Sequence, residues 1–302
     1  MALRHMRIWQ YPREVARTGS IRKAAQKLSV TPSAVQRRIE DIEDDLGTKL
    51  FERSKQGMKL TSAGELFIHW VQTQAADLVR VESQIEALSG LRRGRVRVAC
   101  SQAVVHTFLP QEISAFGQRY PLISFSVEVC DHDQAIRLLR NYEADLALVF
   151  SATRSMDLQP LMVLPQRLVA LMSPKHPLAK KKLLRLRDCV EYPIGIGDPN
   201  FSTRQILSGL IAGKSLRADI RIETNSFELL RNFVGQSDTI AFHIEIGAMH
   251  AKGTHPFVAR HIDSRDVPNG VLVLGHLKER VLPVAAARFG EHLASRIRNQ
   301  SP

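Results

Sequence analysis

Residues 31–47 read TPSAVQRRIEDIEDDLG, and this stretch decides the fold of the amino-terminal part of the chain. Thr31 is a preferred helix N-cap and Pro32 suits the first helical position, so the stretch opens with two start signals. Gly47 stands where a C-terminal cap is expected. Between them apolar residues follow at spacings of four, three and four: Val35, Ile39, Ile42 and Leu46. This period predicts a helix over 32–46 with one buried face.

The segments on either side of this helix predict a helix-turn-helix with a wing. Upstream, Gly19-Ser20 interrupts the chain, and Ala24, Ala25 and Leu28 then share one face of another helix. Only residues 29–31 separate the two helices, which is the outline of a helix-turn-helix. Downstream, Gln56-Gly57 can form a tight turn between two short, charged arms, which predicts a basic wing.

A long helix is predicted after the wing. Ser62 and Glu65 have the spacing of a capping box, and the helical signals continue for about 27 residues. A seam of period 3.5 runs along this helix: Phe67, Val71, Gln74, Leu78, Val81, Ile85 and Leu88. Such a seam needs a partner, which is either its own domain or a second copy of the helix. The polar Gln74 favours a second copy, because one polar seam residue can fix the register of paired helices.

A second region begins after a predicted hinge at 90–94, where the helical period stops and strand-like alternation begins. Strands and helices then take turns, which predicts an α/β region of mainly parallel sheets covered on both faces. The predicted strands are 95–101, 123–130, 144–150, 167–173, 192–196, 219–223 and 239–242. The predicted helices are 104–119, 132–141 behind an Asp131 cap, 203–212 and 226–235. The length of this region suggests two lobes.

Composition fits a two-domain protein of 302 residues with sizeable cores, since 44% of the residues are apolar. Lysine and arginine outnumber aspartate and glutamate by 42 to 30, so a polyanion or an acidic small molecule is the first partner to consider. Residues 1–60 hold 13 of the basic residues against 7 acidic ones. Three cysteines without a C-x-x-C motif indicate neither a disulfide framework nor a zinc module. Without an apolar leader or a membrane-length apolar run, we expect a cytoplasmic protein.

The segment from Tyr11 to Gly64 resembles one family closely, the LysR-type transcriptional regulators of bacteria. The residues that carry the resemblance are Val15, Gly19, Ser20, Ala24, Ala25, Leu28, Thr31, Pro32, Ser33, Ala34, Val35, Arg37, Ile39, Ile42, Glu43, Leu46, Gly47, Leu50, Phe51, Arg53, Leu60, Thr61, Ala63 and Gly64. Beyond the hinge the similarity lies in architecture, with a first strand ending at Ser101, Asp145-Leu146-Ala147 on a strand, and His176-Pro177-Leu178 in a loop.

The resemblance implies an α+β multidomain chain. A winged helix-turn-helix is expected over 1–61, a dimerising linker helix over 62–89, and an effector-binding domain like a periplasmic solute-binding protein over 95–302. Its lobe I is expected at about 95–162 and 267–302 and its lobe II at about 163–266, with the chain crossing between them near 160–165 and 264–269. The family also implies a homodimer or homotetramer on double-stranded promoter DNA, with RNA polymerase as a further candidate partner.

Two residues depart from the family pattern. Pro12 falls inside the expected first helix and should shorten or kink it. Gln36 stands where the family usually has serine on the recognition helix, which predicts an unusual target sequence.

Ten residues are candidate DNA contacts. The amino-terminal end of the helix at 32–46 would read bases, with Gln36 suited to adenine and Arg37 to guanine. Ser20 would meet a phosphate at the start of the preceding helix. The alternative for the charged members is an ordinary solvated surface. The full set is Ser20, Arg22, Lys23, Thr31, Pro32, Ser33, Gln36, Arg37, Arg53 and Lys55.

Seven residues are candidate effector contacts, because strand ends and helix starts face the cleft of a two-lobed protein. They are Ser101, Gln102, Ser202, Thr203, Asn225, Ser226 and His243. For each one, a capping or turn role without a ligand is the alternative. Residues 94–302 hold 26 basic against 19 acidic residues, which favours an anionic small-molecule effector.

Enzyme signatures fit the sequence poorly. There is no G-x-S-x-G or H-E-x-x-H motif, and the glycines at 209 and 213 are one residue too close for a phosphate loop. Gly195-Ile196-Gly197 lacks the third glycine of a dinucleotide fingerprint. His250 and His255 have no metal-ligand context, so no cofactor or metal is predicted. The alternative to a regulator is a solute-binding or enzymatic α/β protein whose amino-terminal domain is incidental.

Overall fold

The computed structural model describes residues 4–55, 57–88, 93–151, 156–213, 216–248 and 257–298. Gln56 of the expected wing turn and residues 90–92 of the expected hinge lie outside these ranges, as do His250 and His255. The chain forms two compact units, Met1–Ile85 and Glu86–Pro302.

The first unit consists of short helices and a two-stranded wing. A 3-10 turn over Arg4–Trp9 leads into α1 (Gln10–Thr18), α2 (Ile21–Leu28) and α3 (Pro32–Leu46), then β1 (Phe51–Ser54), β2 (Gly57–Leu60) and α4 (Ser62–Leu88). The two strands pair antiparallel. The prediction of α3 is confirmed at both ends, and Thr31 Oγ1 accepts the backbone N–H of Ala34 at 3.2 Å as the N-cap.

Pro12 shortens the first helix, as expected. It lies in the first turn of α1, where backbone N–H groups have no acceptor within the helix, so its missing N–H costs little there. The residues ahead of α1 form a 3-10 turn instead of extending the α-helix.

The apolar spacing predicted much of the core of this unit, with Leu28 and Leu46 as the exceptions. The buried residues are Val15, Ala24, Ala25, Val35, Ile39, Ile42, Leu50 and Phe51. Leu46, the last residue of the predicted stripe, is 48% exposed because it lies in the final turn of α3. The helices therefore bury the faces that the sequence pattern marks.

The capping box predicted at Ser62 and Glu65 is wrong by one residue. Thr61 is the residue whose Oγ1 accepts the N–H of Gly64 at 3.0 Å, and Ser62 is already helical. The Thr61 hydroxyl also donates to the Lys49 carbonyl at 2.7 Å, which the Ser62 position does not provide. The position three residues after Thr61 is Gly64, so no glutamate completes a box.

The second unit contains two α/β lobes, as predicted. Lobe I has one five-stranded sheet of β3 (Gly94–Cys100), β4 (Ile123–Val129), β5 (Leu146–Ser151), β6 (Leu158–Gln166) and β13 (Gly270–Leu277), in the order β4-β3-β5-β13-β6. Its helices are α5 (Phe108–Arg119), α6 (His132–Arg140) and α11 (Val284–Arg298). Asp131 caps α6 as predicted, accepting the N–H of Gln134 at 2.7 Å.

Lobe II has a six-stranded sheet in the order β10-β9-β11-β7-β12-β8. Its strands are β7 (Leu168–Met172), β8 (Leu183–Leu184), β9 (Ile194–Gly197), β10 (Ile220–Thr224), β11 (Ile240–Ile244) and β12 (Val258–Ile262). Its helices are α7 (Leu186–Val190), α8 (Ser202–Gly213), α9 (Phe227–Gly235) and α10 (Glu245–Ala248).

Two expectations for this unit need correction. The sheets are mixed, because β13 pairs antiparallel with β5 and β6, and β7 pairs antiparallel with β11 and β12. These are the strands at the two crossings between lobes. The first crossing lies at Arg167, between β6 and β7, and not at 160–165, so lobe I extends to Gln166. The second crossing falls between β12 and β13, which includes the predicted 264–269.

Candidate DNA-binding surface and effector cleft

The amino-terminal turn of α3 is turned to solvent, while Val35 beneath it is fully buried. The exposed candidates here are Thr31, Pro32, Ser33, Gln36 and Arg37. Two of these residues take part in the cap of α3. Thr31 Oγ1 accepts the N–H of Ala34 and also lies 3.1 Å from Ser33 Oγ. Gln36 and Arg37 extend beyond the cap, which leaves their side chains as the longest groups available for base edges.

Gln36 is not free to meet a base as it stands. Its Nε2 donates to Oε1 of Glu40, one turn further along α3, at 2.9 Å. Both side chains are exposed, so this bond competes with water and contributes little stability. A base contact therefore requires the Gln36 amide to rotate away from Glu40.

Four of the predicted backbone contacts line one concave surface between the start of α2 and the wing. They are Ser20, Arg22, Lys23 and Arg53. Ser20 Oγ accepts the backbone N–H of Lys23 at 3.4 Å and so caps α2. A hydroxyl that accepts one bond still has its proton to donate, which suits a phosphate oxygen. Lys55 is exposed in the turn after β1 and does not line this surface.

The wing is fixed against the turn between α1 and α2. The backbone N–H of Met58 donates to the Gly19 carbonyl at 2.9 Å. Gly57 has a φ of +119°, and a Cβ there would overlap the same carbonyl oxygen. Only glycine allows this close approach, so the wing and the start of α2 hold Arg53 and Ser20 on one surface.

Glu43 is a structural residue of this surface to which the sequence reasoning assigned no role. Its side chain is buried, and its Oε1 accepts the N–H groups of Leu50 at 2.8 Å and Phe51 at 3.2 Å. Its Oε2 pairs with Lys49 Nζ at 2.8 Å. The sequence signal that could have identified this role is the position of an acidic residue directly beside Ile42 on the buried face of the predicted helix.

The predicted seam of α4 divides into two parts. Near its start, Val71 is buried and Phe67 packs on the core of the first unit, so this part packs within its own domain. Further along, the apolar side chains of Val81, Ile85 and Leu88 are 40%, 58% and 89% exposed. Leu66 and Trp70 are also exposed, at 75% and 43%.

A small cavity lies between the two lobes of the second unit, and four of the predicted effector residues line it. These four are Ser101, Gln102, Ser202 and Thr203. Phenyl rings of Phe150, Phe201 and Phe227 line it as well, and the last two stack with centroids 5.2 Å apart. The prediction placed these strand and helix ends together correctly.

Three of these four residues already have a protein partner. Ser101 Oγ accepts the N–H of Phe150 at 2.9 Å, and Ser202 Oγ donates to the Phe150 carbonyl at 2.9 Å. Gln102 Oε1 accepts the N–H of Phe227 at 2.7 Å. The Ser202 and Gln102 bonds join one lobe to the other.

The other three predicted effector residues do not line the cavity. Ser226 caps α9 by accepting the N–H of Leu229 at 3.2 Å, and Asn225 is exposed beside it. His243 is fully buried under Phe227, because its position on the central strand β11 directs the ring into the core. Its Nδ1 lies 2.9 Å from the Ile244 carbonyl, and burial lowers its pKa to about 4.

Helix starts rather than charged side chains shape the electrostatics of the cavity. Among the described residues that line it there is no lysine or arginine, and Asp131 is engaged as the cap of α6. The amino-terminal ends of α6, α8 and α9 all contribute lining residues. Their partial positive charges favour an anionic or hydrogen-bond-accepting group.

Neither an activated cysteine nor a metal-binding cluster is found in the described ranges. Burial raises the pKa of the thiols of Cys100, Cys130 and Cys189 to about 12, so none is an activated thiolate at neutral pH. No group of three or more His, Cys, Asp or Glu side chains is placed to hold a metal ion within those ranges. No helix within them combines the length and hydropathy of a membrane span.

Comparison with known sequences gives two family matches that together cover nearly the whole chain. Residues 6–65 match the family described as bacterial regulatory helix-turn-helix protein, lysR family, and residues 89–298 match the LysR substrate binding domain. A similar curated protein is the RuBisCO operon transcriptional regulator of Allochromatium vinosum. It is 26% identical over 250 residues, which is 82% of each chain.

Solved structures share the fold at low identity. A full-length OxyR variant from Pseudomonas aeruginosa has a TM-score of 0.70 at 18% identity, covering 99% of this chain and 96% of its own. Full-length CbnR complexed with its target DNA has a TM-score of 0.62 at 18% identity, covering 97% and 99%. The Synechocystis CcmR regulatory domain in complex with 2-PG has a TM-score of 0.59 at 23% identity, covering 69% and 99%.

Proposed function

Because the chain belongs to the LysR family of bacterial transcriptional regulators, we propose that α3 reads base edges in promoter DNA while α2 and the wing hold the phosphate backbone. In this division Thr31, Ser33, Gln36 and Arg37 face bases. Ser20, Arg22, Lys23, Arg53 and Lys55 face phosphates. Residues 1–61 would act as the DNA-binding domain and residues 95–302 as the effector-binding domain.

One observation carries the proposal: the candidate base-reading and phosphate-binding residues are exposed, apart from the half-buried Ser20, and buried contacts beneath them fix their positions. Helix-turn-helix proteins insert the start of the recognition helix in the major groove, which is the end of α3 that is exposed here. The opposite end carries Glu40, Asp41, Asp44 and Asp45, so the surface is not uniformly basic. The charge distribution along α3 therefore favours the approach of DNA to its amino-terminal end.

A pair of substitutions tests the division of roles. Gln36→Ala should weaken binding to the cognate duplex by about 1 to 3 kcal/mol and leave binding to a scrambled duplex unchanged. Arg53→Ala should weaken binding to both duplexes and lower the salt slope by about one. Fluorescence titrations at several salt concentrations give both quantities.

Two outcomes would contradict the division. Equal losses for both variants on both duplexes would mean that neither residue has a separate role. A Gln36→Ala variant that keeps its full preference for the cognate duplex would exclude the amide from base reading. Gln118→Ala, an exposed change on α5, serves as the control and should alter neither quantity.

We further propose that two copies pair through the exposed apolar side chains of α4. Val81 and Leu88 lie seven residues apart, so they share one face of the helix. Val81→Glu should shift the protein towards monomer in sedimentation velocity. Val79→Glu is the matched control, because Val79 is 47% exposed but lies on another face. If both variants keep the oligomeric state of the wild type, α4 is not the interface.

The effector is proposed to be a small anionic molecule that binds among Ser101, Gln102, Ser202 and Thr203. Three helix starts at one cavity support this, since each favours negative charge. Footprints on the DNA upstream of the gene, repeated across a metabolite panel, identify it. A footprint changed only by cationic metabolites would overturn the anionic class. RNA polymerase remains a proposed partner of the DNA-bound form.

A further inference from the structure

The cavity between the lobes is too small for a metabolite. Its volume is about 30 Å³. A single water needs about 10 to 15 Å³ measured in this way. Sites for small molecules typically occupy about 300 to 1,000 Å³. A metabolite therefore does not fit this cavity as it stands, and separation of the lobes would make room for one.

Among the described residues, three polar contacts join the lobes at a distance from the chain crossings and must break for that separation. Gln102 Oε1 accepts the N–H of Phe227 at 2.7 Å, and the Ser202 hydroxyl donates to the Phe150 carbonyl at 2.9 Å. His106 Nδ1 lies 3.0 Å from Glu228 Oε2. A fourth, from the N–H of Ile246 to Oε1 of Gln166 at 2.9 Å, lies beside the crossing at Arg167. The backbones also approach closely, since a Cβ at Gly247 would overlap the Ala103 carbonyl oxygen.

Gln102 makes the shortest of the three contacts. Its acceptor oxygen meets the first N–H group of α9, where the helix dipole places partial positive charge. Ser226 satisfies a different amide of the same turn, that of Leu229, so the two side chains cap α9 together. The Glu228 carboxylate is 59% exposed, and ion pairs of such groups contribute little.

We infer that Gln102 is a latch between the lobes: its side-chain carbonyl occupies the start of α9 across the cleft, and an effector must displace it to enter. The inference rests on the proposed effector site and states how that site is regulated. It assigns to Gln102 a role beyond lining the cavity. The bound effector then has to supply an acceptor for the Phe227 amide or leave that amide to water.

The chain contains a native reporter of lobe separation. Cys130 lines the cavity and is half-buried, and burial raises the pKa of its thiol to about 12. Parting of the lobes should expose more of this thiol and lower its pKa, so alkylation should accelerate. Cys100 and Cys189 are completely buried in the hydrophobic cores, and they report whether a variant has lost its packing instead.

The experiment measures alkylation of the full-length protein by iodoacetamide, with the modified cysteine identified by mass spectrometry and with no effector or DNA present. Gln102→Ala removes one hydrogen bond that closes the lobes, so we expect Cys130 to react about three- to tenfold faster than in the wild type. Ser202→Ala should accelerate the alkylation of Cys130 less than Gln102→Ala does. Gln102→Glu keeps an acceptor at the start of α9 and should react within about twofold of the wild type, as should the control Gln118→Ala.

Three results would overturn the latch. The first is an unchanged Cys130 rate in Gln102→Ala. The second is equal acceleration in Gln102→Glu, which would show that the acceptor oxygen is irrelevant. The third is that Cys100 and Cys189 become reactive as well, which would mean general loosening of the fold. Failure here leaves the DNA-binding proposal standing, because the assay contains no DNA.

Discussion

The two functional surfaces of this protein differ in how their polar groups are used. The DNA-binding surface exposes its candidate contacts and fixes them from beneath, through the buried Glu43 and the close approach of Gly57 to Gly19. In the effector cleft, polar side chains bond backbone groups of the opposite lobe: Gln102 accepts the N–H of Phe227, and Ser202 donates to the Phe150 carbonyl. A surface that reads a sequence needs fixed positions, whereas a site that senses a ligand needs two arrangements of similar free energy.

The largest predicted effect is on the free energy of unfolding, and it should differ between two buried carboxylates, Glu43 and Glu112. Glu43→Ala leaves the N–H groups of Leu50 and Phe51 buried without their acceptor, so the first unit should lose about 3 kcal/mol of unfolding free energy. Glu112→Ala in lobe I frees His292 and Arg296, whose side chains reach solvent, and should cost about half as much. Urea unfolding measures both.

Glu43→Gln is the matched control for this comparison, since its amide oxygen still accepts both backbone bonds and only the exposed Lys49 loses its charge partner. Its unfolding free energy should stay within about 1 kcal/mol of the wild type. If Glu112→Ala lowers the free energy of unfolding as much as Glu43→Ala does, Glu43 stabilises the DNA-binding surface no more than a buried carboxylate elsewhere in the protein stabilises its own domain.

The second prediction concerns the core beneath the cleft. His243 has a pKa of about 4 in the folded protein against an ordinary 6.5, because burial disfavours its charged form. As the pH falls through this interval the unfolded chain takes up a proton and the native protein does not, so stability falls. Between pH 7 and pH 4 this histidine should remove about 3 kcal/mol of unfolding free energy.

His243→Gln should abolish that part of the pH dependence, and urea titrations at pH 7, 5.5 and 4 measure it. The exposed His69→Gln is the control and should keep the slope of the wild type. Identical slopes for the wild type and His243→Gln would mean that His243 takes up its proton in the native protein as readily as in the unfolded chain.

The smallest effect is expected at the wing. Gly57→Ala forces a Cβ against the Gly19 carbonyl at a φ that disfavours other residues, so Arg53 and Lys55 should shift away from the phosphates that we propose they bind. We expect DNA affinity to fall about fivefold, or about 1 kcal/mol. Gly117→Ala, in an open position on α5, should leave affinity unchanged. Equal affinity for Gly57→Ala and the wild type would remove the wing from backbone binding.

Short sequence motifs predicted most helices of the first unit, because the interactions that set the ends of these helices join residues close together in the sequence. Thr31, Pro32 and Gly47 set both ends of α3, and each acts through its own backbone or side chain. The cap at Thr61 was missed by one residue because a long-range bond to Lys49 decides it. Glu43 was likewise not assigned, since its partners follow seven and eight residues later, after the helix has ended.

The cleft was only partly predictable for the same reason. The ends of strands and helices marked Ser101, Gln102, Ser202 and Thr203, which line one cavity. Sequence could not show that β11 directs His243 inward, because that depends on its place at the centre of the lobe II sheet. The strand β13 and its antiparallel pairing with β5 and β6 were also missed, since pairing between residues more than a hundred positions apart leaves no local period.

The most direct test of the account is the affinity of the full-length protein for the DNA immediately upstream of its gene, compared with a scrambled duplex of equal length at near-physiological salt. The account predicts a preference of at least about a thousandfold, as for sequence-specific DNA-binding proteins. Equal dissociation constants for the two duplexes would contradict it.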